Sequence, residues 1–190
     1  QQVMRKRSRP KILMATNYDD AVSLYEPLCD FYRANVNEQY DQGSVPGMTT
    51  EPALSTELLA GASAYTDTAV IVLSRFSGEG WDRSSIEYNG EYNPWETETS
   101  MPKISGEIFP DGDFYLTNEE SAMIAQVKQH FSKIAVVLNI GGIIDTSWIK
   151  NDDQISSALI AWQGGMEGGL ATAKGFCIEK IPELQHDEGR

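Results

Sequence analysis

The sequence predicts an α/β fold, a three-layer α/β/α sandwich with a mostly parallel sheet, and three observations carry that prediction. Two short runs, Thr68 to Leu73 and Ile134 to Ile140, are continuous and rich in Val and Ile. Such runs mark strands buried on both faces rather than half-exposed strands or surface helices. Segments of helical periodicity alternate with them, which implies parallel pairing, right-handed crossovers and helices over both sheet faces. Finally, 190 residues with 41% hydrophobic and 23% charged content suit one substantial core rather than two domains.

The elements follow in order. Lys11 to Ala15 is a short apolar strand candidate. Tyr18 to Ala34 places Val22, Leu24, Tyr25, Leu28, Phe31 and Tyr32 at helical spacing. Pro27 ends or kinks that helix near Glu26 unless it falls in a first turn, because its ring clashes with the preceding turn and it lacks an N–H. Val36 is expected to begin a short extended piece, and Asp41 to Gly47 is a loop punctuated by Gly and Pro. Ser55 to Tyr65 reads as a helix that delivers the chain to the Thr68 strand. Residues 83–112, scattered with Asn, Gly and Pro, form a long irregular loop. Thr117-Asn-Glu-Glu120 is a capping box opening a helix whose apolar face is Ala122, Ile124, Ala125, Val127 and Phe131. Ser157 to Trp162 is a third strand and Met166 to Phe176 a final helix. The organisation expected is an atypical N-terminal segment (1–20), one domain (21–177) and a polar tail (178–190), with the sheet incomplete at its edges.

Composition limits the function classes. A net charge of −13 repels a polyanion and argues against nucleic acid. No run approaches the ~18 apolar residues of a membrane span, so no membrane partner is expected. Gln1 to Arg9 is basic but lacks the apolar segment of a signal peptide. The expectation is a soluble protein, cytoplasmic or exported. Cys29 and Cys177 fit no metal-ligand spacing and read as buried thiols, with a disulfide in an exported protein as the alternative. His130 lies within a helix and His186 in the tail, so neither builds a metal set or a triad. No cofactor and no metal are expected.

Chemistry concentrates after the Thr68 strand, where Gly78 and Gly80 flank Glu79. The glycines remove side chains that would crowd the carboxylate, and loops at the carboxyl ends of strands are where open α/β sheets bind ligands. A solvated turn closed by an Asp82–Arg83 ion pair is the simpler alternative. The segment Ser74-Arg75-Phe76-Ser77-Gly78-Glu79-Gly80-Trp81-Asp82-Arg83 resembles the S-G-E-G signature of the second, α/β-sandwich domain of glycoside hydrolase family 3, the β-glucosidase and β-xylosidase family. Three further pieces resemble that domain in the same order. They are Asp113 to Thr117, Val136 to Gly141 with Ile144, Asp145 and Trp148, and Ala161 to Gly169.

The resemblance implies a retaining β-glycosidase in which Glu79 is the catalytic acid/base, held protonated by a raised pKa. The partner, an aspartate nucleophile, is implied on a (β/α)8 barrel domain, in cis or in trans, and a barrel of ~250 residues does not fit in this chain beside the sandwich. Retaining enzymes hold the two carboxyls about 5–5.5 Å apart. Ser77, Gly78, Gly80, Trp81, Asp82 and Arg83 are expected to orient the loop or touch a β-glucoside or related carbohydrate. Trp81 either lines the substrate entrance or packs inward. Tyr88, Tyr92 and Trp95 either stack on sugar rings or cover the domain's own surface. Asp145 and Trp148 are expected to serve packing. Gly164 to Gly169 is not a P-loop, since the Lys and Ser/Thr that would follow are absent. Two departures from the family pattern stand out: its Gly-rich first strand is missing or replaced by Gln1 to Asp20, and the chain after Ala173 lacks the usual exit. The competing expectation is a non-catalytic interaction module, a truncated domain that forms a homodimer through its uncovered face.

Overall fold

The computed structural model describes residues 24–44, 49–75 and 101–162, with Gly168, Gly169 and Thr172. The Lys11 strand, the Ser77 to Arg83 loop, the aromatics at 88, 92 and 95, Cys177 and the tail lie outside the described residues.

Helix α1 spans Glu26–Asp41. Pro27 sits in its first turn, where the missing N–H costs nothing and the fixed φ favours the helix. The helix therefore starts at the proline instead of ending there, and it also carries Val36 through to Asp41, which corrects the expected extended piece. Tertiary contacts override the weak propensity of Asn35 and Asn37. Gln39 Nε2 donates to Asn35 Oδ1 (2.7 Å) and to the Thr50 carbonyl (3.0 Å), and the Thr50 N–H donates to Gln39 Oε1 at 2.8 Å. Helix α2 (Thr56–Tyr65) is capped by Ser55, whose Oγ accepts from the Leu58 N–H at 3.1 Å. Gly61 lets Tyr25 pack close to α2, since a Cβ there would stand 2.1 Å from the Tyr25 hydroxyl and displace that ring.

Strand β1 runs Thr68–Arg75 and β2 runs Lys133–Ile140, paired in parallel without a register break from Thr68↔Lys133 to Arg75↔Ile140. Strand β3, Ile155–Ile160, joins the other side of β2, giving the order β1-β2-β3. A bulge at Ser156 shifts its register between Ile134↔Ile155 and Ala135↔Ser157. Its first residues lie earlier than the sequence pattern placed them. Helix α3 (Met101–Ile108) falls inside the segment expected to be irregular, a second correction. Pro102 in the first turn is a helix-start signal that the scattered Asn, Gly and Pro around it obscured. Helix α4 spans Asn118–His130 and α5 Ser147–Lys150. Of the final helix, only Gly168, Gly169 and Thr172 are described, all helical.

Alternation along the strands sorts the core into two faces. Ala69, Ile71 and Leu73 with Ile134, Val136, Leu138 and Ile140 meet Leu28 of α1, Leu59 and Ala62 of α2, and Met123, Ile124 and Val127 of α4. Val70, Ala135 and Val137 form a smaller cluster on the opposite face with Val72 and Ala161. Burial on both faces explains why β1 and β2 read as unbroken apolar runs. By contrast, β3 leaves Leu159 36% and Ile160 45% exposed.

Truncating Leu138, 1% exposed at the centre of β2, to Ala is expected to cost about 2–5 kcal/mol. Ile160→Ala on β3 is expected to change stability by less than about 1 kcal/mol. Urea denaturation of both variants checks the contrast, and equal losses would contradict this distribution of packing. Thr117→Ala removes the hydroxyl that accepts from the Glu120 N–H at 3.1 Å. It should lower stability by about 1 kcal/mol, read in the same assay.

Candidate functional site

The carboxyl ends of β1 and β2 carry the densest polar network among the described residues, and its hub is Arg75, the last residue of β1. An apolar strand delivers this guanidinium into the interior, with its side chain 1% exposed. All five N–H donors find acceptors. Nη1 donates to Glu120 Oε1 at 2.7 Å and to the Ser74 carbonyl at 2.9 Å. Nη2 donates to Glu120 Oε2 at 2.7 Å and to the Tyr115 carbonyl at 3.0 Å. Nε donates to the Asp113 carbonyl at 3.1 Å. The Phe109 ring covers the group, its centroid 4.4 Å from Cζ, a cation–π contact.

Glu120 is doubly committed. Besides its bidentate bond to Arg75, its Oε2 accepts from the Thr117 N–H at 2.9 Å and so closes the capping box of α4. One carboxylate thus ties the start of a helix to the end of a strand. The loop between α3 and α4 is drawn in at the same time. Gly112, at φ +94, turns it back, and its N–H donates to the Phe109 carbonyl at 2.9 Å. The Asp145 N–H donates to the Phe114 carbonyl at 2.8 Å, extending the frame to the loop after β2. Asp145 also accepts from the Ser147 N–H (3.0 Å) and hydroxyl (2.8 Å), and Trp148 Nε1 donates to the Asp145 carbonyl at 3.0 Å. These contacts agree with a packing role for Asp145 and Trp148. Asn139 Nδ2 reaches Ser74 Oγ at 3.3 Å and links the tips of the two strands.

The loop holding Ser77, Gly78, Glu79, Gly80, Trp81, Asp82 and Arg83 leaves from this frame and itself lies outside the described residues. Arg75 and Glu120 have parts that sequence reasoning missed. Arg75 appeared only within the signature and Glu120 only as a cap; the available signal was a cation ending a buried run, which must find a carboxylate. Apolar side chains also stand at this edge. Ile143 is 71% and Trp162 54% exposed, and Trp162 holds φ 54, an uncommon conformation for a bulky residue.

The opposite edge is ordinary. Lys133 Nζ donates to Asp67 Oδ2 at 3.0 Å, which lowers the Asp67 pKa, but both side chains are exposed and the pair adds little stability. Lys128 pairs with Asp152 and lowers its pKa likewise. Cys29 is a free, buried thiol, and burial raises its pKa. Among the described residues no three His, Cys, Asp or Glu side chains are grouped to hold a metal ion, and no helix is long and apolar enough to cross a membrane.

An open parallel sheet of three strands with helices packed on it defines the chain as an α/β domain. The family model for the glycosyl hydrolase family 3 C-terminal domain matches residues 16–176, and the chain belongs to that family. It is 49% identical over 159 residues to β-glucosidase A of Butyrivibrio fibrisolvens, covering 84% of this chain and 19% of the relative. It is 30% identical over 166 residues to a β-glucosidase of Ruminococcus albus, covering 84% and 15%. Among solved structures, a β-glucosidase from Paenibacillus barengoltzii superposes with a TM-score of 0.61 at 25% identity, over 88% of this chain and 17% of that one. β-Glucosidase 3B from Thermotoga neapolitana in complex with α-D-glucose gives 0.59 at 25% identity, over 82% and 20%. The chain therefore spans about a fifth or less of the length of these relatives.

Glu120→Ala leaves the Arg75 guanidinium buried without its counter-ion and should cost about 3–5 kcal/mol. Combining Arg75→Met with Glu120→Leu should recover part of that loss, because no charge then remains buried. Chemical denaturation of the three proteins is the check. A double variant no more stable than Glu120→Ala would show that the three carbonyl contacts of Arg75, not its charge pairing, carry the effect.

Proposed function

We propose that this chain is the acid/base-donating domain of a retaining β-glycosidase that hydrolyses terminal β-linked sugars, with Glu79 as the acid/base. The observation that supports the proposal is the frame around Arg75, at the carboxyl end of β1 and four residues before Glu79 in the sequence of a family 3 domain. The relatives named above are β-glucosidases, which supports a β-glucoside or related carbohydrate as substrate. On this proposal Glu79 protonates the leaving oxygen in the first step and deprotonates water in the second. The second carboxylate, the nucleophile, comes from a (β/α)8 barrel domain in cis or in trans. Ser77, Gly78 and Gly80 shape the loop, Asp82 and Arg83 orient it, and Trp81 borders the substrate entrance.

A second proposal, an interaction module that self-associates, is favoured by the exposed Leu159 and Ile160 of β3 and Trp162 just after it. Size-exclusion chromatography with mass detection separates it: a stable dimer supports it and a monomer opposes it.

Glu79→Gln in a barrel-containing form should lower the rate on poor leaving groups by about 10²–10⁴-fold, the usual worth of general acid catalysis. The glycosylation step on activated aryl glycosides should be largely spared, since such leaving groups need no proton. Steady-state and burst kinetics on a leaving-group series test this, and equal loss across the series would remove the acid role.

A further inference from the structure

Among the described residues, β1 is paired on one side only: β2 runs along the whole of Thr68–Arg75, and no described strand takes the other edge. A cavity of about 660 Å³ is bordered by all eight residues from Thr68 to Arg75. Successive side chains of a strand point to opposite faces of the sheet, so eight consecutive residues border one space only where the backbone edge itself faces it. Leu28 of α1, Leu59 of α2 and Met123 of α4 border the same cavity. The edge is shielded from water as well, since Ala69, Val70, Ile71 and Leu73 are each 7% exposed or less. Backbone N–H and C=O groups in such a place need partners, because an unpaired buried group costs as much as a lost hydrogen bond. A side chain entering the cavity satisfies one or two of them, whereas an extended backbone satisfies the row.

We propose that the free edge of β1 is a strand-addition site and that its occupant is Lys11–Ala15 of this chain, a segment outside the described residues, lying parallel to β1. Three observations favour this occupant. Ile12, Leu13, Met14 and Ala15 are continuously apolar, as β1 and β2 are. That composition suits the position, because apolar clusters lie on both faces of the sheet beside β1. The chain also arrives at the cavity, since Tyr25 and Leu28, at the start of α1, border it. The residues 16–25 that join Ala15 to α1 reach as far as about 35 Å when extended, longer than the ~26 Å of an eight-residue strand. Finally, α1 and α2 stand between the segment and β1 in chain order, and both pack on one face of the sheet. A helical connection of that kind joins parallel strands. So placed, the segment braces β1 on the side that β2 does not hold, and β1 ends in Arg75.

Nuclear Overhauser contacts between backbone protons, measured on the 190-residue chain, test the proposal. Lys11–Ala15 should show Hα–HN contacts to Thr68–Arg75 within one copy. In Leu13→Pro, which removes a donor and disfavours ladder pairing, the β1 amides that do not bond β2 should lose about tenfold in exchange protection. No contact to the β1 edge, contacts from another segment, or contacts seen only between differently labelled copies would overturn the proposal. Equal exchange in the wild type and Leu13→Pro would do the same. Should Leu13→Pro not fold, the contacts in the wild type decide.

Discussion

Arg75 is the constraint around which the described structure is arranged. Its five N–H groups reach two carboxylate oxygens and three carbonyls, contributed by β1, α4 and the loop between α3 and α4. A guanidinium this deeply buried is costly to desolvate, and an ion pair in such a place contributes little net stability compared with apolar residues of the same shape. Its consequence is geometric. Rotation of α4 about its first turn would break the bidentate pair, whose carboxylate is itself held in place by the capping box at the start of that helix. The helix start, the strand end and the loop between them therefore move as one body.

That body sits where the chain leaves the sheet. The unbroken β1–β2 register carries Arg75 level with Ile140, and the chain passes at once into the segment holding the Gly-flanked glutamate. Acid/base chemistry on a glycosidic oxygen depends on placement to within fractions of an ångström, and on the proposed function a fixed strand end directly before the Glu79 segment is the economical way to obtain it. On the proposed function, the hydrophobic face formed with α1, α2 and α4 supplies stability, and the polar frame supplies position.

Which of these features the sequence disclosed follows from the range of the forces involved. The buried strands, α2 and the capping box at Thr117 were legible because each depends on neighbours within a few residues: β-branched continuity, Ser55 three positions before Leu58, Thr117 three before Glu120. The continuation of α1 past Val36 was not, since it rests on Gln39 meeting Thr50 and Tyr32 meeting Glu51 across 11 and 19 residues. The start of β3 was displaced by a bulge that exists only relative to β2. The pairing of Arg75 with Glu120 spans 45 residues, so the one local trace, a cation ending a buried run, did not name its partner. The family signature pointed to the loop, while the support beneath that loop became visible only in three dimensions.

The electrostatic closure of the frame matters as much as its rigidity. A general acid must keep its proton near neutral pH, and a free guanidinium within a few ångströms would lower a carboxyl pKa by about 1–3 units. Arg75, four residues before Glu79 in the sequence, would present an uncompensated cation at the start of that segment if it were unpaired. Because Glu120 accepts from both of its terminal nitrogens and Phe109 covers its face, the positive charge is neutralised where it stands. On the proposed function, this pairing leaves the segment that supplies the acid catalyst without an uncompensated buried cation at its root.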